Sequence, residues 1–74
     1  MPNTNTVIAD RVRGVAAEKR LSQQRVADIL SLSRTSVTER YSGRVPFTAP
    51  ELFTLAGALN VDVARFFPEP AVAA

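Results

Sequence analysis

Cysteine and histidine are both absent from this chain of 74 residues. Without cysteine there is no disulfide and no thiolate metal site. Without histidine, the usual general base at neutral pH and the commonest metal ligand are missing as well. The carboxylates Asp10, Asp28 and Asp62 are not paired by spacing, so helix caps and ion pairs account for them better than acid–base work. No catalytic residue, metal site, cofactor or small-molecule ligand is therefore expected, and an enzyme is the remote reading. Long apolar runs are lacking too. The longest uncharged stretch, Leu52 to Val61, is far too short to cross a bilayer. The opening MPNTNT is polar, unlike a signal peptide. A cytoplasmic domain with no membrane partner is the expectation.

Lysine is scarce, and this gives the charge its character. Eight of the nine basic residues are arginine. A guanidinium suits planar, bidentate contact with phosphate or guanine better than an ammonium does. The net charge is only +2, but it is segregated. From Arg11 to Arg44 eight basic residues face three acidic ones, a net of +5, while the remainder sets Arg65 against four acidic residues, a net of −3. Such segregation fits a nucleic-acid surface and fits a solvated face about equally well.

No strand pattern occurs, and the apolar residues recur at helical spacing throughout. At this size one domain is expected, near the lower limit for folding without staples. Residues 1–5 read as a loose arm, with the first helix starting near Asn5 or Thr6 and running to about Lys19. Ile8, Val12, Val15 and Ala16 form its inward stripe, and Gly14 interrupts it as a tolerated imperfection. Ser22 caps a second helix that ends near Leu30 and turns Val26 and Ala27 inward, with Ile29 on its outer side. Leu32 plugs the turn, and Ser33 caps a third helix from Arg34 to about Tyr41, stopped by Gly43. Thr48 and Glu51 make a capping box for the fourth helix, which runs to Leu59 and is closed by Asn60. Asp62 starts a short fifth helix whose Val63, Phe66 and Phe67 pack back. Residues 68–74 read as a disordered tail or the start of a linker. The fold class expected is all-α, a compact five-helix bundle over residues 6–67.

The stretch LSQQRVADILSLSRTSVTERYSG, Leu21 to Gly43, is two short helices joined by a tight turn. Its third-helix segment offers Arg34, Thr35, Ser36, Thr38 and Glu39 on faces that Val37 and Tyr41 do not use. Arginine can be bidentate to guanine, hydroxyls can donate, accept or touch a thymine methyl, and glutamate can accept from cytosine. The amides beside the cap Ser33 favour a phosphate, and Gln23 and Gln24 at the start of the second helix can reach one too. Small Ala27 permits a close helix crossing. An ordinary helical hairpin with a solvated face is the competing reading of the same spacing.

This stretch resembles the helix-turn-helix of the Cro/C1 repressor family, also called the XRE family, whose pattern is roughly L-S-Q-x-x-x-A-x-x-x-G-x-S-x-x-x-[IV] with a closing glycine. Leu21, Ser22, Gln23, Ala27, Ser33, Val37 and Gly43 match in register. PELFTLAGALNVDVARFF is similar to the family's fourth and fifth helices, so the resemblance spans about residues 7–67. It implies a lambda-repressor-like domain whose third helix enters the major groove of double-stranded DNA. Carried over, Arg34, Thr35 and Glu39 are base readers with Thr38 beside them. Gln23 touches phosphate and buttresses the third helix. Gln24, Ser33, Ser36, Arg44 and the amides capped by Thr48 are positioning contacts. Two positions depart from the pattern. Ser31 stands where glycine is usual, so it must accept a left-handed backbone or shift the turn. Arg40 stands where an apolar residue is usual. Tyr41 is expected to supply that packing, leaving Arg40 free for phosphate.

The function expected is a sequence-specific transcriptional regulator of the repressor or Cro kind, in a bacterial or phage-infected cell and associated with the nucleoid. Phe53, flanking the fourth helix's buried stripe, is a candidate homodimer contact. The alternative is a protein-interaction module, such as an antitoxin-like domain, that keeps the fold without specific base readout.

Overall fold

Four side chains that can accept from a backbone amide set where the α-helices begin. In the computed structural model, which describes residues 3–68, the helices are α1 (Thr4–Glu18), α2 (Gln23–Leu30), α3 (Arg34–Tyr41) and α4 (Ala49–Leu59), followed by one 3-10 turn (Val63–Phe66). Their caps are Asn3, Ser22, Ser33 and Thr48, each with extended backbone and each accepting from an amide three residues on. Glu51 completes the capping box at Thr48.

Two boundaries differ from expectation. The arm assigned to residues 1–5 is shorter at its described end, because the Asn3 carboxamide accepts from both the Thr6 amide at 2.8 Å and the Thr6 hydroxyl at 3.0 Å. That double acceptance starts the helix at Thr4 rather than at Asn5 or Thr6; residues 1 and 2 lie outside the described chain. The fifth helix is not an α-helix, so the described bundle has four, not five. Asp62 does cap the segment, but Phe67 is extended at φ −102°, ψ 146°. A residue before proline is pushed out of the helical region, so Pro68 ends the segment after one turn. Phe67 consequently points outward and is 39% exposed instead of packing back. The expected tail from 68 onward falls, beyond Pro68, outside the described residues.

The core is a single cluster. Ile8, Val12, Val15 and Ala16 of α1 meet Val26 and Ala27 of α2, Val37 of α3, and Leu52, Leu55, Ala56 and Leu59 of α4. Phe66 is the largest fully buried side chain and fixes the 3-10 turn against α1 and α4. Burying such a ring stabilises by roughly 1.5–3 kcal/mol. Ile29, expected on the outer side of α2, is half-buried against this cluster together with Leu30 and Leu32. An exposed bidentate pair, Glu18 to Arg65 with both contacts at 3.0 Å, also joins the last turn of α1 to the 3-10 turn. The arginine holds the Glu18 carboxyl below the ordinary carboxylate range.

α2 and α4 end in left-handed residues, Ser31 and Asn60, both at φ 57°. Gly43, just beyond the end of α3, sits at φ +82°. A Cβ there would lie 3.0 Å from the Thr6 hydroxyl oxygen and 3.3 Å from the Thr6 Cα, so both conformation and space require glycine. Gly14 is the opposite case: a Cβ would meet nothing within 4 Å, and no packing demand holds it there. The pair gives opposed expectations in thermal unfolding. Gly43→Ala should destabilise by about 1–3 kcal/mol, and Gly14→Ala should stabilise by about 0.5–1 kcal/mol. Equal effects at the two sites would contradict this account.

Candidate nucleic-acid interface

The turn between α2 and α3 closes by backbone geometry alone. Ser31 adopts φ 57°, ψ 41°. The Leu32 amide donates to the Ala27 carbonyl at 2.9 Å, the paired closure that a left-handed residue permits. Serine therefore accepts the conformation for which glycine is better suited, at a cost on the order of 1 kcal/mol. Leu32 inserts against the core, and the next residue caps α3. The Ser33 hydroxyl accepts from the Ser36 amide at 3.1 Å and donates to the Ser36 hydroxyl at 3.0 Å. Both serines are thus engaged with each other in holding the first turn of α3.

Val37 is the one residue of α3 that is fully buried. Polar ties do the rest. Gln23, the first residue of α2, donates its side-chain amide to the Thr38 hydroxyl, which in turn donates to the Arg34 carbonyl at 3.0 Å. This is the buttress expected of Gln23, and it engages Thr38 within the protein. Gln24 donates to Asp28 at 3.0 Å along its own helix. After α3 the chain curls back: the Ser42 hydroxyl and the Arg44 and Val45 amides all donate to the Glu39 carbonyl, at 2.8, 3.1 and 3.3 Å. The Arg44 side chain stays exposed beside the C-terminal end of α3.

Arg40 corrects the expectation of a free phosphate-binding arginine. Its guanidinium donates through Nε and Nη2 to the two carboxylate oxygens of Glu51, at 3.0 and 3.2 Å, and through Nη1 to the Ser36 carbonyl at 3.2 Å. The two side chains are only 15% and 16% exposed. An apolar position has been filled by a paired, mostly buried ion, and the pairing removes Arg40 from the surface charge. Tyr41 half-buries against Phe47, ring centroids 6.4 Å apart, so that part of the expectation holds. Its hydroxyl is buried without a hydrogen-bond partner, and burial pushes its pKa up. Thr48 also differs from expectation. Its amide donates to Glu51 at 2.9 Å, Pro50 has no N–H, and the Glu51 amide donates back to Thr48. The first turn of α4 therefore has few free amides to offer an anion.

What remains on α3 is a short polar set. Arg34 and Thr35 are exposed and Glu39 is half-exposed, and none of the three side chains makes a hydrogen bond or ion pair to another described residue. Thr35 and Glu39 are one turn apart on one stripe, and Arg34 stands about 100° round the helix from Thr35, at the first turn. Sequence spacing identified these three, and it missed Glu51, whose partner lies eleven residues away in another helix. Among the described residues no group of three or more acidic or metal-ligating side chains could hold a metal ion. Nor is any described helix long and apolar enough to cross a membrane.

The same fold occurs in solved transcription regulators. The restriction-modification controller protein C.AhdI from Aeromonas hydrophila is 25% identical with a TM-score of 0.76, over 85% of this chain and 96% of that one. The clp gene regulator ClgR from C. glutamicum is 21% identical with a TM-score of 0.81, over 89% and 86%. The hypothetical transcription factor NHTF from Neisseria is 25% identical with a TM-score of 0.79, over 92% and 78%. These structural neighbours are of the helix-turn-helix type. A more distant match, at 16% identity, is to 37% of the chain of the enzyme HppE. No family model and no curated protein matches the sequence.

The Arg40–Glu51 pair has an acid-side signature. Burial raises the Glu51 pKa, but the Arg40 guanidinium and the Thr48 amide more than offset this and leave it below the ordinary value of 4.5. A lowered folded-state pKa contributes stability that is complete above the unfolded value and is lost as pH falls through the folded one. Stability should therefore fall below about pH 4.5, and Glu51→Gln should flatten that part of the profile. An unchanged acid limb in the variant would show that Glu51 is not the group responsible.

Proposed function

We propose that this chain is a sequence-specific, double-stranded-DNA-binding transcriptional regulator of the repressor or Cro kind, with α3 as the recognition helix in the major groove. The observation that carries the proposal is the division of side chains on α3. Ser36, Thr38 and Arg40 are hydrogen-bonded within the protein, Thr35 and Glu39 are left unpaired on the outer pole, and Arg34 is unpaired and exposed at the first turn. A base-reading helix needs that division, because a side chain already engaged within the protein cannot also specify a base edge. Arg34 has the chemistry for guanine O6 and N7, Thr35 for a thymine methyl or a hydrogen bond, and Glu39 for cytosine N4 or for orienting Arg34. Arg44 and Gln23 flank them as phosphate contacts. The regulator neighbours, two of them 25% identical, support the same reading.

The proposal extends to a homodimer on paired half-sites, in the cytoplasm and on the nucleoid. Phe53 is 64% exposed on the outer face of α4, and Phe67, after the 3-10 turn, is the other exposed large hydrophobic among the described residues. Exposed large aromatic side chains of this kind are candidates for cover by a partner. A protein-interaction module without base readout is the alternative that the binding experiment below addresses.

Selection of random-sequence duplexes by the purified domain, near physiological salt, tests the proposal. A palindrome with half-sites about one helical turn apart is expected. Absence of any enriched sequence would contradict specific readout and favour the interaction module. On the selected site, Arg34→Ala should cost about 1–3 kcal/mol and relax the preference at one base position. Arg44→Ala should weaken all sequences alike and reduce the salt slope by roughly one. If the dimer forms through α4, Phe53→Asp should leave a folded monomer in sedimentation and weaken binding to paired half-sites more than to a single one. An unchanged sedimentation profile would remove Phe53 from the interface.

A further inference from the structure

The Arg40–Glu51 pair joins two helices that pack little on each other. Glu51 already serves as the capping-box acceptor of α4, its Oε1 receiving the Thr48 amide at 2.9 Å. The same carboxylate takes both Arg40 contacts, and the third arm of Arg40 returns to the Ser36 carbonyl on α3. One continuous set of hydrogen bonds therefore runs from the middle of α3 to the N-terminus of α4. α3 packs closely on α1 and α2, and α4 is not among its principal packing partners. Val37 is the one fully buried side chain of α3 and Tyr41 is half-buried against the core, so the apolar anchor is small. Polar contacts on the two flanks add to it in resisting a roll of α3 about its axis.

The angular positions are informative. At about 100° per residue, Thr38 lies roughly 100° to one side of Val37 and Arg40 roughly 60° to the other. Thr35 and Glu39 both lie roughly 160° away, on the opposite pole. The Gln23–Thr38 bond holds one flank of the helix, and the Arg40–Glu51 pair holds the other. A roll in either direction would displace the outer pole sideways.

We propose that Arg40 and Glu51 form a positioning clamp that sets the roll of α3, and so specifies which base edges the outer pole meets, without either residue touching DNA. The inference rests on the DNA-binding reading above. It distinguishes Arg40 from the other arginines of the basic half: this one acts on specificity and not on phosphate attraction.

The test uses Arg40→Leu, Glu51→Gln and the double variant, each measured against the selected duplex and a scrambled one across a range of salt. Amide hydrogen exchange is followed in the free proteins. Glutamine at 51 can still accept from Thr48, and the double variant leaves no unpaired buried charge, so folding is preserved in at least one member of the set. Each single variant should lose roughly tenfold in affinity for the selected site, on the scale of one base contact. Binding to the scrambled duplex and the salt slope should be unchanged, and the double variant should lose no more than the worse single. Exchange should quicken at Val37 to Tyr41 while α1 and α4 keep their protection. The clamp is overturned if Arg40→Leu weakens both duplexes alike and lowers the salt slope by about one, the signature of a phosphate contact. It is overturned equally if Glu51→Gln tightens binding to every sequence by releasing Arg40. If the wild-type protein prefers no sequence, the DNA reading itself fails. Exchange in α3 then judges the clamp alone, and unchanged protection there would refute it.

Discussion

An eight-residue helix with a single fully buried side chain cannot hold itself in place. Helices this short are marginal in water, and α3 offers the core only Val37 in full and Tyr41 in part. Everything about its setting compensates. Ser33 caps its start, the 42–45 segment closes its end on the Glu39 carbonyl, Gln23 holds one flank and Glu51, through Arg40, holds the other. The helix is fixed by its surroundings and not by its own packing. This leaves most of its surface available, with Thr35 and Glu39 unpaired on the pole farthest from Val37 and Arg34 exposed at the first turn.

The remainder of the chain supplies rigidity. α1 and α4 provide most of the buried side chains, and Phe66 anchors the 3-10 turn between them. The charge follows the same division. The arginine-rich part ends at Arg44, next to the exposed end of α3, and the acidic excess lies in the part that carries α4 and the turn beyond it. Arg40 and Arg65 are withdrawn from the free positive charge by Glu51 and Glu18. What is left for an anionic partner is more localised than the formal count suggests. The outer face of α4 is uncharged and presents Phe53, a surface chemically distinct from that of α3 and suited to a different kind of contact.

Much of this was legible in the sequence because its causes are local. Ser22, Ser33, Thr48 and Asp62 each cap a segment through an oxygen and an amide two or three residues away, and Ser31 and Asn60 reverse the chain at helix ends. Spacing along α3 likewise separates Val37 from Thr35 and Glu39. The misreadings came where the cause lay elsewhere. Asn5 and Thr6 were both acceptable caps, and the choice fell to Asn3 because its one oxygen takes two donors from Thr6. The last helix was overestimated because Pro68 constrains the residue before it. Arg40 looks free in the sequence because its carboxylate partner lies eleven residues away; Glu51 comes alongside only when α4 folds across. At Thr48 the two expectations compete: the capping box itself engages the Thr48 amide with Glu51, and Pro50 has no N–H, which leaves little of this turn for an anion.

The central claim is that the outer pole of α3 is the surface that meets the DNA bases. It is tested most directly by titrating isotope-labelled protein with a short duplex and following the backbone amides and arginine side chains by NMR. The account predicts that the largest shifts fall on Arg34, Thr35 and Glu39, with Gln23 and Arg44 next, while the Arg40 guanidinium keeps its hydrogen-bonded signature. Shifts confined to the Phe53 face of α4, or spread evenly over the arginines of α1 with α3 unmoved, would contradict it.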